Sequence, residues 1–192
     1  MANRKRHGCS SVLLIFILMI GGFAAVYFFG GFYREMFYPI KYEEYVEKYA
    51  EENGLDKYFV YAVIKKESNF SPEAVSGVGA VGLMQIMPDA FDWAKFKKKD
   101  ERGLEFDDMK NPEYNIEYGT FMIGYYLNEF GGCREAMAAY HSGRGDVKNW
   151  LKDPDCSKDG KTLDVIPTPA TASYVDKVMN TYEAYKNLYE ER

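Results

Sequence analysis

The chain is poor in the residues that build metal centres and disulfide scaffolds. Its 192 residues include three cysteines and two histidines. Cys9, Cys133 and Cys156 form no Cys-x-x-Cys pair, and the histidines, His7 and His141, lie far apart. A structural zinc site needs four such ligands in close spacing, so neither a metal nor another cofactor is expected. Long alternating strand patterns and internal repeats are missing too, which argues against sheet-based and solenoid folds. Positive charge is scarce, with a formal net charge of −5. Of 24 basic residues, Arg4, Lys5 and Arg6 sit at the extreme N-terminus, leaving 21 against 29 acidic residues beyond Gly31, a net −8. Such a surface repels phosphate backbones, so nucleic acid is excluded as a partner. It does not attract other polyanions either, and recognition has to come from a local cleft.

What is present begins with an uncharged run of 18 residues, Val12 to Phe29, directly after the basic triplet. That is long enough to cross a bilayer. A cleaved signal peptide is the competing reading, but its apolar core is normally shorter and ends at a small-x-small site. Here Ala24-Ala25-Val26 lies inside the run, and Tyr27, Phe28, Phe29 and Phe32 suit an interfacial aromatic belt. The expected organisation is a cytoplasmic basic segment (1–11), a retained transmembrane anchor (12–31), a linker (32–40) and one domain (41–192). The protein is then single-pass in the cell membrane, with the domain on the extracytoplasmic face. Cys9 precedes the run and is cytoplasmic. Cys133 and Cys156 share the outer compartment, which permits a disulfide that spacing alone does not establish.

Beyond residue 40 the periodicity is helical throughout. Tyr42, Tyr45, Val46 and Tyr49 mark one amphipathic helix, closed by Asn53-Gly54. Asp56 caps a second, with Leu55, Phe59 and Val63 at four-residue spacing, and Ser71-Pro72 is expected to end it. Pro88 opens a third helix. The charged stretch 97–108 reads as a solvated loop. Asn111-Pro112 starts a long helix to about Phe130, in which Gly119 permits close packing. A short alanine-rich helix then leads through Gly143 and Gly145 to Trp150, and a last helix follows Pro169. The fold class is all-α, with at most a small β-excursion near Gly77 to Gly82.

The most informative stretch runs from Glu67 to Pro88. Glu67 stands in the last turn of an apolar helix, where both desolvation and the negative end of the helix dipole disfavour the carboxylate. Both raise its pKa, as a general acid working near neutral pH requires. Gly77, Gly79 and Gly82 allow a tight turn close to a ligand. Leu83, Met84, Ile86 and Met87 anchor that loop, and Gln85 is a lone amide among them that a ligand could partner. A charged residue in isolation is more often solvated than catalytic. Glu73, Asp89 and Asp146 are candidates for a second acid, but capping and solvation explain each.

The string Glu67-Ser68-x-Phe70, then Ala74-x-Ser76-x-x-Gly79-Ala80-x-Gly82-Leu83-Met84-Gln85-Ile86-Met87-Pro88, resembles the soluble-type lytic transglycosylases, whose catalytic domain is goose-lysozyme-like. Ala139-Tyr140-His141-x-Gly143-x-Gly145-x-Val147 resembles a second motif of that family, with His141 where asparagine is usual. Ile166-Pro167 with Tyr174-Val175 resembles a third, with Ala170 and Ala172 replacing its Glu and Arg. The resemblance implies a peptidoglycan substrate, with the glycan strand as partner and cleavage between N-acetylmuramic acid and N-acetylglucosamine to leave a 1,6-anhydro end. It implies Glu67 as the catalytic residue and Ser76, Gln85, Met87, Tyr140 and His141 as substrate-binding. A hydrolytic muramidase on the same fold and an inactive wall-binding scaffold are the alternatives. Losing a like charge at position 170, and gaining a cation when His141 is protonated, would both lower the pKa of Glu67 relative to a typical member. For the anchor, N-terminal sequencing of the native protein should find the Val12–Phe29 run retained; a mature start after residue 25 would exclude it.

Overall fold

The computed structural model describes residues 8–190 and divides into two units, residues 1–40 and 41–192. In the first unit a single helix, α1 (Gly8–Phe37), covers the whole expected anchor. Ile15, Phe16, Leu18, Met19 and Ile20 are exposed on it. Residues 1–7 of the basic segment, and the side chains of 8–14, 17 and 23–28, lie outside the described residues. Among the described residues no helix is long and apolar enough to cross a membrane.

The second unit is helical. In chain order it contains α2 (Glu43–Glu52), α3 (Lys57–Ser68), α4 (Pro88–Lys98), a 3₁₀ turn (Phe106–Lys110), α5 (Pro112–Phe130), α6 (Cys133–Ser142), α7 (Arg144–Trp150) and α8 (Pro169–Tyr189). Six successive residues of α3, Phe59 to Ile64, are buried, so this helix is apolar on every side and forms the centre of the unit. It packs mainly against α8, which in turn lies on α6, while α5 packs on α2 and α6. Local chemistry sets the boundaries. Asp56 accepts the Tyr58 amide at 2.8 Å as the α3 cap, and Asn111 accepts the Glu113 amide at 2.9 Å ahead of Pro112.

Helix α3 ends three residues before Ser71-Pro72. Asn69 and Phe70 both adopt left-handed backbone, with φ of 49° and 66°, and turn the chain before proline can act. Phe70 is thereby buried. Residues 97–108 are not merely solvated. Asp100 accepts bonds from Arg102 and from the Tyr118 hydroxyl at 2.7 Å, and Arg102 also reaches the buried Glu117 at 2.8 Å. Those partners lie on α5, beyond the reach of a local reading. Leu104 and Met109 are buried beneath the same segment. Cys133 and Cys156 are unbridged.

The loop between α3 and α4 contains two isolated antiparallel bridges, Val75 with Val81 and Val81 with Ile86. Asn115, fully buried in α5, holds it. Its Oδ1 accepts the Met84 amide at 2.7 Å, and its Nδ2 donates to Val81 O at 3.0 Å and Met109 O at 2.7 Å. Gly82 (φ 82°) passes so close that an added Cβ would lie 2.2 Å from Asn115 Nδ2 and 2.4 Å from the Met109 carbonyl. Gly119 is tight too, because a Cβ there would meet Met84 Sδ at 2.3 Å, although that side chain is flexible and the Gly119 backbone is ordinary helix. Gly77 has ordinary φ and open space. Gly82→Ala should therefore cost about 1–3 kcal/mol in denaturant unfolding, and Gly77→Ala less than about 0.5 kcal/mol. Equal midpoints for the two variants would contradict this account of the loop.

Candidate active site

Glu67 occupies the last turn of α3, as its place before Asn69 requires. Its Oε1 accepts a hydrogen bond from the Tyr174 hydroxyl, 2.5 Å away and 107 residues further along the chain. Burial is the largest influence on the carboxyl and raises its pKa above the ordinary 4.5; the Tyr174 bond and the charge of Lys66 oppose that rise. Glu73, Asp89 and Asp146 are all exposed, the last two in the first turns of α4 and α7. The neighbouring Ser68 hydroxyl donates to Leu83 O at 2.8 Å and so ties the end of α3 to the glycine loop.

The substrate-binding candidates fall into two groups. Ser76 and Gln85 hold the loop itself. Ser76 Oγ accepts the Ala80 amide at 2.9 Å, and Gln85 Nε2 donates to Ala74 O at 3.1 Å and Gly82 O at 2.9 Å. The Gln85 nitrogen therefore has protein partners within the loop and does not wait for a ligand. Gln85 takes left-handed backbone to reach them, with φ of 48°. Met87, Tyr140 and His141 belong to surfaces. Met87 is 39% exposed and lines a small recess of about 50 Å³ with Gln85, Ala90, Met122, Tyr126 and Tyr140. The Tyr140 hydroxyl donates to Met84 O at 2.7 Å, and burial, then the nearby Glu67, keep it un-ionised. His141 stacks on Tyr174 with ring centroids 4.5 Å apart, and its Nδ1 lies 3.1 Å from Thr171 Oγ1. Ala170 is exposed in the first turn of α8. Larger recesses, about 350 Å³ beside Asn53 and Tyr125 and about 400 Å³ beside Phe96, contain none of the candidates.

Sequence reasoning missed Tyr174 as a site residue, since it reads as one member of the buried α8 stripe with Val175 and Val178. The available signal was its hydroxyl: a phenol in an otherwise apolar stripe needs a polar partner. Among the described residues, the groups that converge are one desolvated carboxyl, a phenol donating to it, and a glycine loop fastened beside the same helix end. That arrangement favours the protonated carboxyl more than solvent would and offers it a hydrogen-bond donor once the proton has left.

Helices closed around such a carboxyl define an all-α domain of lysozyme-like fold. Residues 44–162, more than half of the chain, match the transglycosylase SLT domain, and the chain belongs to that family. It is 34% identical over 152 residues to the soluble lytic murein transglycosylase of Salmonella typhimurium, a match covering 77% of this chain and 23% of that protein. It is 32% identical over 125 residues to the membrane-bound lytic murein transglycosylase C of Actinobacillus succinogenes, covering 60% of this chain and 35% of that one. Among solved structures, an inactive Glu-to-Gln mutant of lytic transglycosylase Slt from Pseudomonas aeruginosa superposes with a TM-score of 0.69 at 29% identity, over 80% of this chain and 25% of that one. The chain thus spans about a quarter of the length of the Salmonella and Pseudomonas proteins.

Because the phenol donates to Glu67, removing it deletes an influence that favours the carboxylate. Tyr174→Phe should raise the Glu67 pKa further above 4.5, as read by carboxyl-carbon NMR titration. An unchanged or lower value would show that the phenol does not act on the acid.

Proposed function

We propose that this protein is a membrane-anchored lytic transglycosylase of peptidoglycan, cutting the β-1,4 bond from N-acetylmuramic acid to N-acetylglucosamine with formation of a 1,6-anhydro end. The observation that carries this reading is the desolvated carboxyl of Glu67, held by Tyr174, while Glu73, Asp89 and Asp146 stay exposed. Most glycosidases use two carboxyl groups, one as acid and one as base or nucleophile. A single group fits a reaction in which the substrate supplies the nucleophile. Glu67 gives its proton to the glycosidic oxygen as that oxygen leaves C1, and the substrate's own N-acetyl oxygen stabilises the anomeric carbon. Glu67, now a carboxylate, takes the proton of the muramyl 6-hydroxyl as that oxygen bonds to C1. The proton balance closes, Glu67 is regenerated and no water is consumed.

Such a group must be protonated at the start and basic midway, so its pKa should lie near the working pH. Burial moves Glu67 in that direction. Tyr174 donates to the carboxylate in the middle of the cycle and keeps it aimed without supplying a second negative charge. Met87 and Tyr140 are the surfaces for sugar rings along the recess, while Ser76 and Gln85 shape the loop that borders it. The anchor rests on the uncharged run from Val12 to Phe29 and on the membrane-bound relatives; it would keep the domain on the extracytoplasmic face, beside the wall.

Purified sacculi digested by the enzyme should release fragments with anhydro ends by mass analysis. Reducing ends would indicate a hydrolase, and no release an inactive binder. Glu67→Gln should lower turnover by at least about 10²-fold while the variant stays folded and bound to sacculi. More than about a tenth of wild-type activity in that variant would transfer the chemistry to another residue.

A further inference from the structure

The end of α6 meets the beginning of α8 through His141 and Ser142 on one side and Thr171 and Tyr174 on the other. His141 lies with its ring against Tyr174, centroids 4.5 Å apart and planes inclined by 30°. Its Nδ1 is 3.1 Å from Thr171 Oγ1, one turn before Tyr174 on the same face of α8. Thr171 is fully buried, and its hydroxyl is also hydrogen-bonded to Ser142. The ring is therefore held at one edge by a hydroxyl pair and presents its face to the phenol that bonds Glu67.

We propose that His141 is a positioning residue, whose ring, clamped by Thr171, holds the Tyr174 phenol on Glu67. The proposal rests on the reading of Glu67 as the acid. Tyr174 needs such support because rotation about χ1 would carry its hydroxyl off the carboxyl. Stacking against a ring that is itself hydrogen-bonded removes that freedom on one face. Displacements of about 1 Å in an active site can cost about 10²-fold in rate.

The clamp has a protonation state. In the neutral ring Nδ1 can accept from Thr171, with Ser142 donating to Thr171 in turn; a protonated ring donates there and reverses the hydroxyls. The groups that act on His141 are Lys66 of α3, through its charge, and Thr171 and Tyr174 of α8, through contact. Glu129 of α5 is occupied with Arg144 and Lys148 of α7. Partial burial of the ring and then Lys66 lower the pKa of the imidazole from its ordinary 6.5. Below that pKa the imidazolium, stacked on Tyr174, favours the Glu67 carboxylate and so drains the protonated acid.

Three variants decide the matter on sacculi or a soluble glycan fragment. His141→Ala, which removes the ring, should lower kcat by about tenfold to a hundredfold with KM nearly unchanged. His141→Phe keeps a ring to stack and does not titrate; it should restore kcat to within about threefold of wild type, and the ratio of its kcat to wild type should rise as pH falls below about 6.5. Wild-type kcat in His141→Ala, equal impairment in both variants, or a flat ratio across pH would each overturn the clamp. Glu67→Gln, measured in parallel, separates the two ideas. If it is inactive while His141→Ala is normal, only the clamp fails; if it is active, the reading of the acid fails and the clamp with it.

Discussion

The buried amide of Asn115 is the interaction on which the rest of the domain depends. Between α3 and α4 the chain must run through the interior, since Leu83, Met84 and Ile86 are essentially inaccessible. A buried irregular segment carries backbone polar groups that water cannot reach, and each unpaired one costs about 1–3 kcal/mol. Asn115 satisfies three of them with one side chain: the Met84 amide and the Val81 and Met109 carbonyls. An aspartate would offer no donor and a leucine nothing at all. The same contact requires glycine at 82, where any Cβ would displace the amide, and Gly119 admits Met84 one turn further along α5.

Once the loop is fixed, the end of α3 is fixed with it. Ser68 bonds Leu83, Tyr140 bonds Met84, and Glu67 is carried at the end of a helix whose middle, Phe59 to Ile64, is buried. The carboxyl then experiences opposed influences. Burial favours its protonated form, while the Tyr174 hydroxyl and Lys66 favour the carboxylate. A group balanced in this way suits both halves of a reaction that first gives and then recovers a proton. A fully solvated glutamate would be too acidic to hold the proton, and one buried without a donor would release it too reluctantly.

Much of this was legible along the chain because the relevant chemistry is local. Asp56 and Asn111 cap helices with their own next residues, Pro88 and Pro112 open them, and Gly131 closes α5 in left-handed backbone. The end of α3 was less legible: Ser71-Pro72 is a valid stop signal, but Asn69 and Phe70 act before it because burying Phe70 rewards the earlier turn. Gln85 looked like an amide in want of a ligand, since its partners, Ala74 and Gly82, become neighbours only when the loop curls back. The charged stretch 97–108 looked solvated for the same reason, as Glu117 and Tyr118 sit on a different helix.

By itself, then, the order of residues determined the helices, the position of Glu67 in a last helical turn and the uncharged N-terminal run. Each of these depends on neighbours within about one or two turns, where spacing is geometry. The tertiary structure alone decided that Tyr174 reaches Glu67 across 107 positions, that His141 lies against that phenol, and that Cys133 and Cys156 stay apart as thiols. The first two outcomes follow from how α8 lies on α3 and α6. That packing is set by the summed burial of many apolar side chains, and no periodicity along one segment records which polar group it will bring to the acid.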